Sequence, residues 1–299
     1  MNRQEERLQL FGLFGCPLAH TLSPAMHEAG FLSLGMKAFY LVFELDRSGF
    51  RKTMSGLKTF LLDGFNVTVP YKEAVIPYLD ELTPKAKAIG AVNTVYRKGR
   101  KWAGTNTDAE GFLISLRRDA LFRPRGKNVL ILGAGGAARA VTYALASSGV
   151  KKIILTDLYA DKAKALARVF SSMFRRVRVG NIPCDADHLA HALKETDLVV
   201  NATTAGLKAS DPVIIPPSRI PRARGGKRMV FYDLVYHPAR TPFLKHAAQR
   251  GHRISNGLGM LLYQGVRAFE IWTGKKAPVD VMRRALNKAL KEREREKHG

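Results

Sequence analysis

Apolar positions along this chain gather into short runs separated by amphipathic stretches, the pattern of strands and helices taken in turn. Residues 10–14 form a first apolar run. Ser23-Pro24 then opens a helix that reaches Leu34, with Ser23 in the N-cap position, Pro24 at the first helical position and Gly35 at the end. Residues 39–45 predict a second strand, Ser48 caps a helix to about Leu62, and residues 65–69 predict a third strand ended by Pro70. Residues 77–88 carry helical spacing. Residues 92–96 and Trp102-Ala103 flank the polar stretch 97–101, which predicts a hairpin. This alternation makes the first part of the chain an α/β unit of its own.

A helix from Asp108 to Leu116 leads into a second unit, whose most informative stretch is Asn128-Val129-Leu130-Ile131-Leu132-Gly133-Ala134-Gly135-Gly136-Ala137-Ala138-Arg139. Residues 129–132 read as a buried parallel strand, and residues 137–148 as a helix closed by Gly149. Gly133-x-Gly135-x-x-Ala138 at that junction is a dinucleotide fingerprint in its required context. Gly133 permits the tight turn, Gly135 lets a pyrophosphate approach the backbone, and Ala138 lets the helix pack close to the strand. Ala134, Gly136 and Ala137 complete the loop and the helix N-terminus, whose N–H groups and dipole suit phosphates. A strand over 153–156 ends in Asp157, roughly 20 residues past the glycines, where a carboxylate can accept hydrogen bonds from ribose hydroxyls. Further strands are expected at 177–179, 198–201 and 229–234, and a helix over 241–250 ended by Gly251. Residues 212–226, rich in Pro, Gly and Arg, predict an exposed loop. Long helices over 258–272 and 279–294 are placed to pack back on the first unit.

At 299 residues the chain is long enough for two domains, and 46% hydrophobic residues can fill their cores. No apolar run reaches the ~18 residues of a membrane span, and the first residues lack the apolar core of a signal peptide. Two cysteines, Cys16 and Cys184, make no disulfide framework, so a cytoplasmic setting is expected. The 49 basic and 25 acidic residues leave a net charge of +24. That excess is spread, with local density at 117–118, 175–178, 222–228 and 288–297. It comes without a zinc-ligand spacing, a helix-turn-helix or an RNA-binding aromatic motif, so no specific nucleic-acid partner and no metal are expected.

A dinucleotide domain beside another α/β unit implies a ligand cleft, and four clusters could line it. In His20-Thr21-Leu22-Ser23-Pro24, two hydroxyls could bind a hydroxylated or carboxylated ligand, or Ser23 could be an N-cap only. In Asn66-Val67-Thr68-Val69-Pro70-Tyr71-Lys72, Asn66 and Thr68 share one strand face. Lys72 follows the break, as an acid/base group or as a surface lysine. Asn93-Thr94 and Asn106-Thr107-Asp108 sit at strand ends, with Asp108 either an N-cap or the partner of Lys72 in a coupled acid/base pair. Gln264, among Leu261, Leu262 and Val266, belongs either to a site or to the solvent face.

Together these segments, with Gly90-Ala91-Val92-Asn93-Thr94, Asn201-Ala202-Thr203, Asp233-Leu234-Val235-Tyr236, Thr241-Pro242 and Gln264-Gly265, resemble the shikimate/quinate dehydrogenase family from Phe14 to about Pro278. The resemblance implies an α/β fold of two domains. Residues 1–107 with 258–299 would form a substrate-binding catalytic domain, and residues 108–257 a Rossmann-type dinucleotide-binding domain. It implies an oxidoreductase acting on a CH–OH group, interconverting 3-dehydroshikimate and shikimate with a nicotinamide cofactor, as a monomer or homodimer. By similarity, Lys72 and Asp108 are the catalytic pair. Thr21, Ser23 and Tyr236 hold the substrate carboxylate, and Asn66, Thr68, Asn93 and Gln264 bind ring hydroxyls. Gly133, Ala134, Gly135, Gly136, Ala137, Asp157, Thr203 and Met260 serve the cofactor, Met260 beside the nicotinamide. Two departures matter. Thr21 stands where many members have serine, which keeps quinate open as a substrate. Asp157-Leu158-Tyr159 replaces the Asn-Arg-Thr of NADP-using members, which favours NAD, although Lys162 or Arg139 could still serve NADP. A methylene-tetrahydrofolate-type dehydrogenase fits the polyol-binding clusters poorly. A basic nucleic-acid-binding protein without catalysis fits Lys72, Asp108 and the glycines poorly.

Overall fold

The computed structural model describes residues 7–19, 21–207, 211–223 and 228–296. His20 of the first cluster, the last residues of the 212–226 loop, and Arg224, Lys227 and Lys297 of the basic stretches lie outside the described residues. The chain divides into two compact units: residues up to Gly111 with the chain from Leu261, and Phe112–Met260. The expected boundaries thus move a few residues along, and Asp108 belongs to the first unit.

The first unit opens with β1 (Gln9–Gly15), α1 (Ser23–Ser33), β2 (Ala38–Glu44), α2 (Arg47–Ser55) and β3 (Gly64–Val67), followed by β4 (Glu81–Leu82), α3 (Pro84–Ile89), β5 (Thr94–Lys98) and β6 (Lys101–Thr105). They form one mixed sheet in the order β2-β1-β3-β5-β6-β4. β1 pairs parallel with β2 and β3, whereas β5 runs antiparallel to both β3 and β6. Its core gathers Phe14, Phe50, Phe65, Val67, Tyr71 and Trp102. A fully buried side chain of this size contributes about 1.5–3 kcal/mol of hydrophobic stabilisation.

Some sequence expectations fail here for local reasons. Residues 77–88 are not one helix: a single turn at Ile76–Tyr78 and β4 precede α3. Thr83 caps α3, accepting from the Ala86 N–H at 3.2 Å, with Pro84 in its first turn. A proline inside a helix interior would break it, so the chain starts a new one there. α2 is capped by Asp46, not Ser48, through the Gly49 N–H at 2.7 Å. Thr68 lies just beyond β3 instead of within it.

α4 (Asp108–Arg118) leads to the second unit. There β7 (Asn128–Leu132), α5 (Gly136–Ser147), β8 (Lys152–Thr156), α6 (Ala160–Met173), β9 (Arg178–Asn181), α7 (Ala186–Leu193), β10 (Leu198–Asn201), β11 (Val230–Asp233), α8 (Pro242–Gln249) and β12 (Arg253–Ser255) alternate. The strands form an all-parallel sheet ordered β12-β11-β10-β7-β8-β9. Counted from β7, this is the 3-2-1-4-5-6 order of the dinucleotide-binding fold. β7 is central, so the glycine turn leaves the sheet where the strand order reverses, the usual ligand position in such sheets. The 212–226 loop is not wholly exposed: Ile215 and Ile220 are buried in the core against Phe231 and Phe243.

α9 (Leu258–Thr273) and α10 (Val279–Glu296) complete the described chain. Within the first unit α10 packs on α1. Phe269 stacks on Phe31 at 5.1 Å, and the Trp272 indole N–H donates to the Val95 carbonyl at 2.9 Å. Among the described residues no helix is long and apolar enough to cross a membrane. Cys16 and Cys184 are both free.

Candidate active site

A strand end delivers side chains out of a sheet, and the first unit does this several times over. Beyond β3 the chain turns through Thr68, with the Tyr71 N–H donating back to the Thr68 carbonyl at 2.9 Å, and presents Lys72. The Lys72 carbonyl accepts from the Val92 N–H at 2.8 Å, which ties this turn to the segment carrying Asn93. Beyond β6, Asn106 caps α4 by accepting from the Ala109 N–H at 3.2 Å. Asp108 is therefore relieved of capping. Its Oδ2 lies 2.6 Å from the Lys72 Nζ and its Oδ1 accepts from the Asn93 amide at 3.0 Å. The pair is enclosed, with side-chain exposures of 13% for Lys72 and 5% for Asp108, so Lys72 is not a surface lysine. A charge-assisted bond this short is among the stronger ones a protein makes. It also uses only one of the three ammonium donors, which leaves Lys72 able to engage a ligand.

The surrounding amides are held in fixed orientations. The Asn93 Oδ1 accepts from the Thr107 N–H at 2.7 Å and from the hydroxyl of Thr94 at 3.1 Å. A backbone N–H can only donate, so the Asn93 NH₂ must face the acceptors: Asp108, Thr107 Oγ1 at 2.9 Å and Gln264 Oε1 at 3.2 Å. Gln264 is buried, not on the solvent face, and its amide donates to the Leu261 carbonyl at 2.8 Å. Asn66 donates to the Asn93 carbonyl at 2.9 Å and to Thr94 Oγ1 at 3.1 Å, and accepts from the Tyr40 hydroxyl at 2.8 Å. Ser23 is buried and does not cap α1, whose N-cap position is Leu22 with no side-chain cap. The half-buried Thr21 accepts from the Ser23 N–H at 3.3 Å.

One connected polar network in the first unit thus gathers Lys72, Asp108, Asn93, Asn66 and Gln264. Thr68, Thr21 and Ser23 belong to the same unit. Tyr236 and Met260 belong to the second unit, Tyr236 half-buried after β11 and Met260 buried in the first turn of α9. Tyr40 joins the network without any sequence signal, since it sits in a run that reads as apolar. Thr94 and Thr107 lie in the Asn- and Thr-rich segments at the strand ends, where spacing alone assigns them no part.

In the second unit Gly133 has φ +103°, and a Cβ on it would meet Thr203 at 3.0 Å and the Ala202 backbone at 3.1 Å. Only glycine fits that turn. Gly135 caps α5 without a side-chain bond, and a Cβ there would enter open space. Space before an uncapped helix N-terminus, with Gly136 and Ala137 in its first turn, is what a pyrophosphate requires, so these residues fit a dinucleotide. Asp157, at the end of β8, accepts from the Ala134 N–H at 2.7 Å and from the Tyr159 N–H at 2.9 Å. Each carboxylate oxygen keeps a free lone pair for a ribose hydroxyl. The Lys162 ammonium sits 4.5 Å from the Tyr159 ring centre.

Thr203 lies on a loop organised from below by a buried carboxylate. The Asn201 Oδ1 accepts from the Thr203 N–H at 3.0 Å and hydroxyl at 2.7 Å. The Asn201 amide donates to Asp233 at 2.8 Å, and Asp233 also accepts from the Val235 N–H at 3.0 Å and the Thr241 hydroxyl at 2.6 Å. Burial pushes the Asp233 carboxyl up to about 6, against the opposing pull of these donors. Asn201, Asp233 and Thr241 were legible as motif residues, but their structural task was not.

Comparison with known proteins agrees with both units. Residues 13–95 match the model of the shikimate dehydrogenase substrate binding domain, residues 116–235 that of shikimate / quinate 5-dehydrogenase, and residues 257–286 that of the shikimate 5'-dehydrogenase C-terminal domain. The shikimate dehydrogenase (NADP(+)) of Desulforamulus reducens is 43% identical, over 95% of this chain and 96% of its own length. A crystal structure of a shikimate dehydrogenase in complex with NADP+ has a TM-score of 0.83 and 35% identity, covering 97% of each chain. That of the Listeria monocytogenes enzyme in complex with shikimate and NAD has a TM-score of 0.82 and 34% identity, covering 95% of this chain and all of the other. With the glycine turn, the 3-2-1-4-5-6 sheet and the buried Lys72–Asp108 network already in place, these matches establish that the chain belongs to the shikimate dehydrogenase family of oxidoreductases.

Proposed function

We propose that the protein interconverts 3-dehydroshikimate and shikimate with a nicotinamide cofactor, and that Lys72 and Asp108 form its proton-handling pair. The observation that carries this reading is the enclosed 2.6 Å contact between them, set among amides fixed to receive a polyol. The nicotinamide, when bound, supplies or accepts the hydride. The chain's own residues do the rest. Lys72 donates a hydrogen bond, and then a proton, to the oxygen formed at the substrate carbonyl, while Asp108 holds the ammonium in place and shares the proton. Thr21, Ser23 and Tyr236 take the carboxylate. Asn66, Thr68, Asn93 and Gln264 read the ring hydroxyls, which penalises analogues that leave these buried groups unpaired. The loop from Gly133 to Ala137 takes the pyrophosphate, and Thr203 and Met260 border the nicotinamide. The wild type should oxidise shikimate faster than quinate. A protein that turns over neither acid with either cofactor overturns the reading.

The cofactor preference turns on Asp157. Its carboxylate, fixed by two backbone N–H groups, suits a ribose diol and opposes a 2′-phosphate. We therefore propose that NAD is used in preference to NADP. The name of the Desulforamulus relative pulls the other way, while the Listeria enzyme was crystallised with NAD. The test is kcat/KM with each cofactor, in the wild type and in Asp157→Asn with Leu158→Arg. The wild type should favour NAD, and the variant should shift the ratio toward NADP by about tenfold or more through removed repulsion and a new cation. A wild type that favours NADP sinks the proposal.

A further inference from the structure

Asn66 is a substrate-side residue with a single open valence. Both amide hydrogens are committed, to the Asn93 carbonyl and to Thr94. Its oxygen accepts from Tyr40, which leaves one lone pair for a ligand. Tyr40 sits on β2, across β1 from Asn66, and is itself held tightly. The fully buried His27 stacks on its ring at 4.5 Å with planes 8° apart, and Trp272 lies at 6.2 Å. Neither ring nitrogen of His27 has a hydrogen-bond partner among the described residues, and burial lowers its pKa to about 3, so it acts as a neutral plate. The Tyr40 phenol also meets the Ser23 side chain, and burial raises its pKa, which keeps it a proton donor.

We propose that Tyr40 is a positioning residue of the substrate site, its phenol clamping Asn66 so that a single oxygen lone pair is offered to one hydroxyl of the bound polyol. It touches no substrate and acts chiefly through Asn66, with Ser23 as its second contact. The inference rests on the reading of Asn66 as a substrate residue. It assigns Asn66 the role of acceptor and not donor, so the hydroxyl it meets must give its proton to the protein.

Tyr40→Phe keeps the ring, the stack and the volume and removes only the hydroxyl. The KM for shikimate should rise about three- to tenfold, the loss of one buried hydrogen bond, with kcat within about twofold and the KM for the nicotinamide cofactor unchanged. The decisive readout is the cycle with Asn66→Ala, or Asn66→Ser if that variant does not fold. Tyr40→Phe should have a much smaller effect on the shikimate KM once Asn66 is gone, because the coupling through Asn66 vanishes when that group is removed. An unchanged KM in Tyr40→Phe, or an effect that persists undiminished in the double variant, overturns the clamp while leaving shikimate oxidation by the wild type intact. A wild type that neither oxidises shikimate nor binds it by calorimetry overturns the clamp together with the proposed function.

Discussion

The two units bury their carboxylates under opposite rules. In the first, Asp108 is enclosed with a cation 2.6 Å away, and His27 is enclosed with no hydrogen-bond partner among the described residues. In the second, Asp233 is enclosed among an amide, a hydroxyl and a backbone N–H. Charge in a low-dielectric interior is tolerable beside a countercharge and costly elsewhere. His27 is accordingly held neutral by a pKa lowered to about 3, and Asp233 is pushed toward neutrality at about 6. Of these three groups, Asp108 with its partner Lys72 combines enclosure with spare donors. A buried carboxylate is therefore no signpost to chemistry by itself. Its partner distinguishes a carboxylate held beside a cation with spare donors from one that braces a loop.

The largest effect expected from breaking this contrast is at the pair itself. Lys72→Ala should lower kcat by about 10²–10⁴-fold, the range of positioned acid–base groups, in a protein whose circular dichroism remains that of the wild type. Asp233→Asn should leave kcat nearly unchanged. Should steady-state rates in nicotinamide absorbance show Lys72→Ala within tenfold of the wild type, the two carboxylates would have been sorted wrongly.

The next effect is a pH dependence of opposite sign in the two units. His27 has a folded pKa below its unfolded value, so its stabilisation is complete above the unfolded value and is lost as pH falls toward about 3. Asp233 has a folded pKa above its unfolded value, so between the two the native state binds more protons, and stability falls as pH rises toward about 6. Each group contributes about 1.4 kcal/mol per pH unit where it titrates. Between about pH 4 and 6 the slopes nearly cancel in a global melt. Hydrogen exchange resolved by segment should separate them, with acid loosening helix α1 and sheet β2-β1-β3, and tightening β10 and β11. His27→Phe should abolish the first slope and Asp233→Asn the second. Parallel slopes in both units would refute the contrast.

Legibility in the sequence followed the same division. The parallel sheet was readable because its strands are apolar runs with punctuated ends, and the glycine turn was readable because its chemistry tolerates few residue types. Between Asp157 and β9 no helix is expected from the apolar runs alone, yet α6 forms there and buries Ala163, Leu166, Ala167 and Phe170 on one face. That spacing is helical and is present in the sequence. Residues 77–88 carry helical spacing throughout, but the Thr83-Pro84 start signal divides them. At the site, Lys72, Asp108 and Asn93 were legible as polar residues at strand ends. Tyr40 was not, because a phenol in an apolar strand differs from a core aromatic only through the group it meets across the sheet. Asp233 was visible as a motif residue, but its work of holding the Asn201–Thr203 loop depends on contacts distant in sequence.

The smallest expected effect is also the finest probe of how Asp233 is held. The Thr241 Oγ1 has two tasks: it accepts from the Leu244 N–H at 3.3 Å as the cap of α8, and it donates to Asp233 at 2.6 Å. Valine has the same shape and does neither. Thr241→Val should cost about 1–2 kcal/mol in urea unfolding, the sum of a lost cap and a lost hydrogen bond. Thr241→Ser should cost much less. The hydroxyl favours the carboxylate over the acid, so without it the Asp233 pKa should climb further, and the cost of Thr241→Val should be greater at neutral pH than near pH ~4, where Asp233 is largely protonated in the native state. An equal cost at both pH values would mean that the threonine serves α8 alone and that Asp233 gains nothing from it. The rise of the Asp233 pKa would then be fixed by burial and by Asn201, and the loop bearing Thr203 would be anchored from one side only.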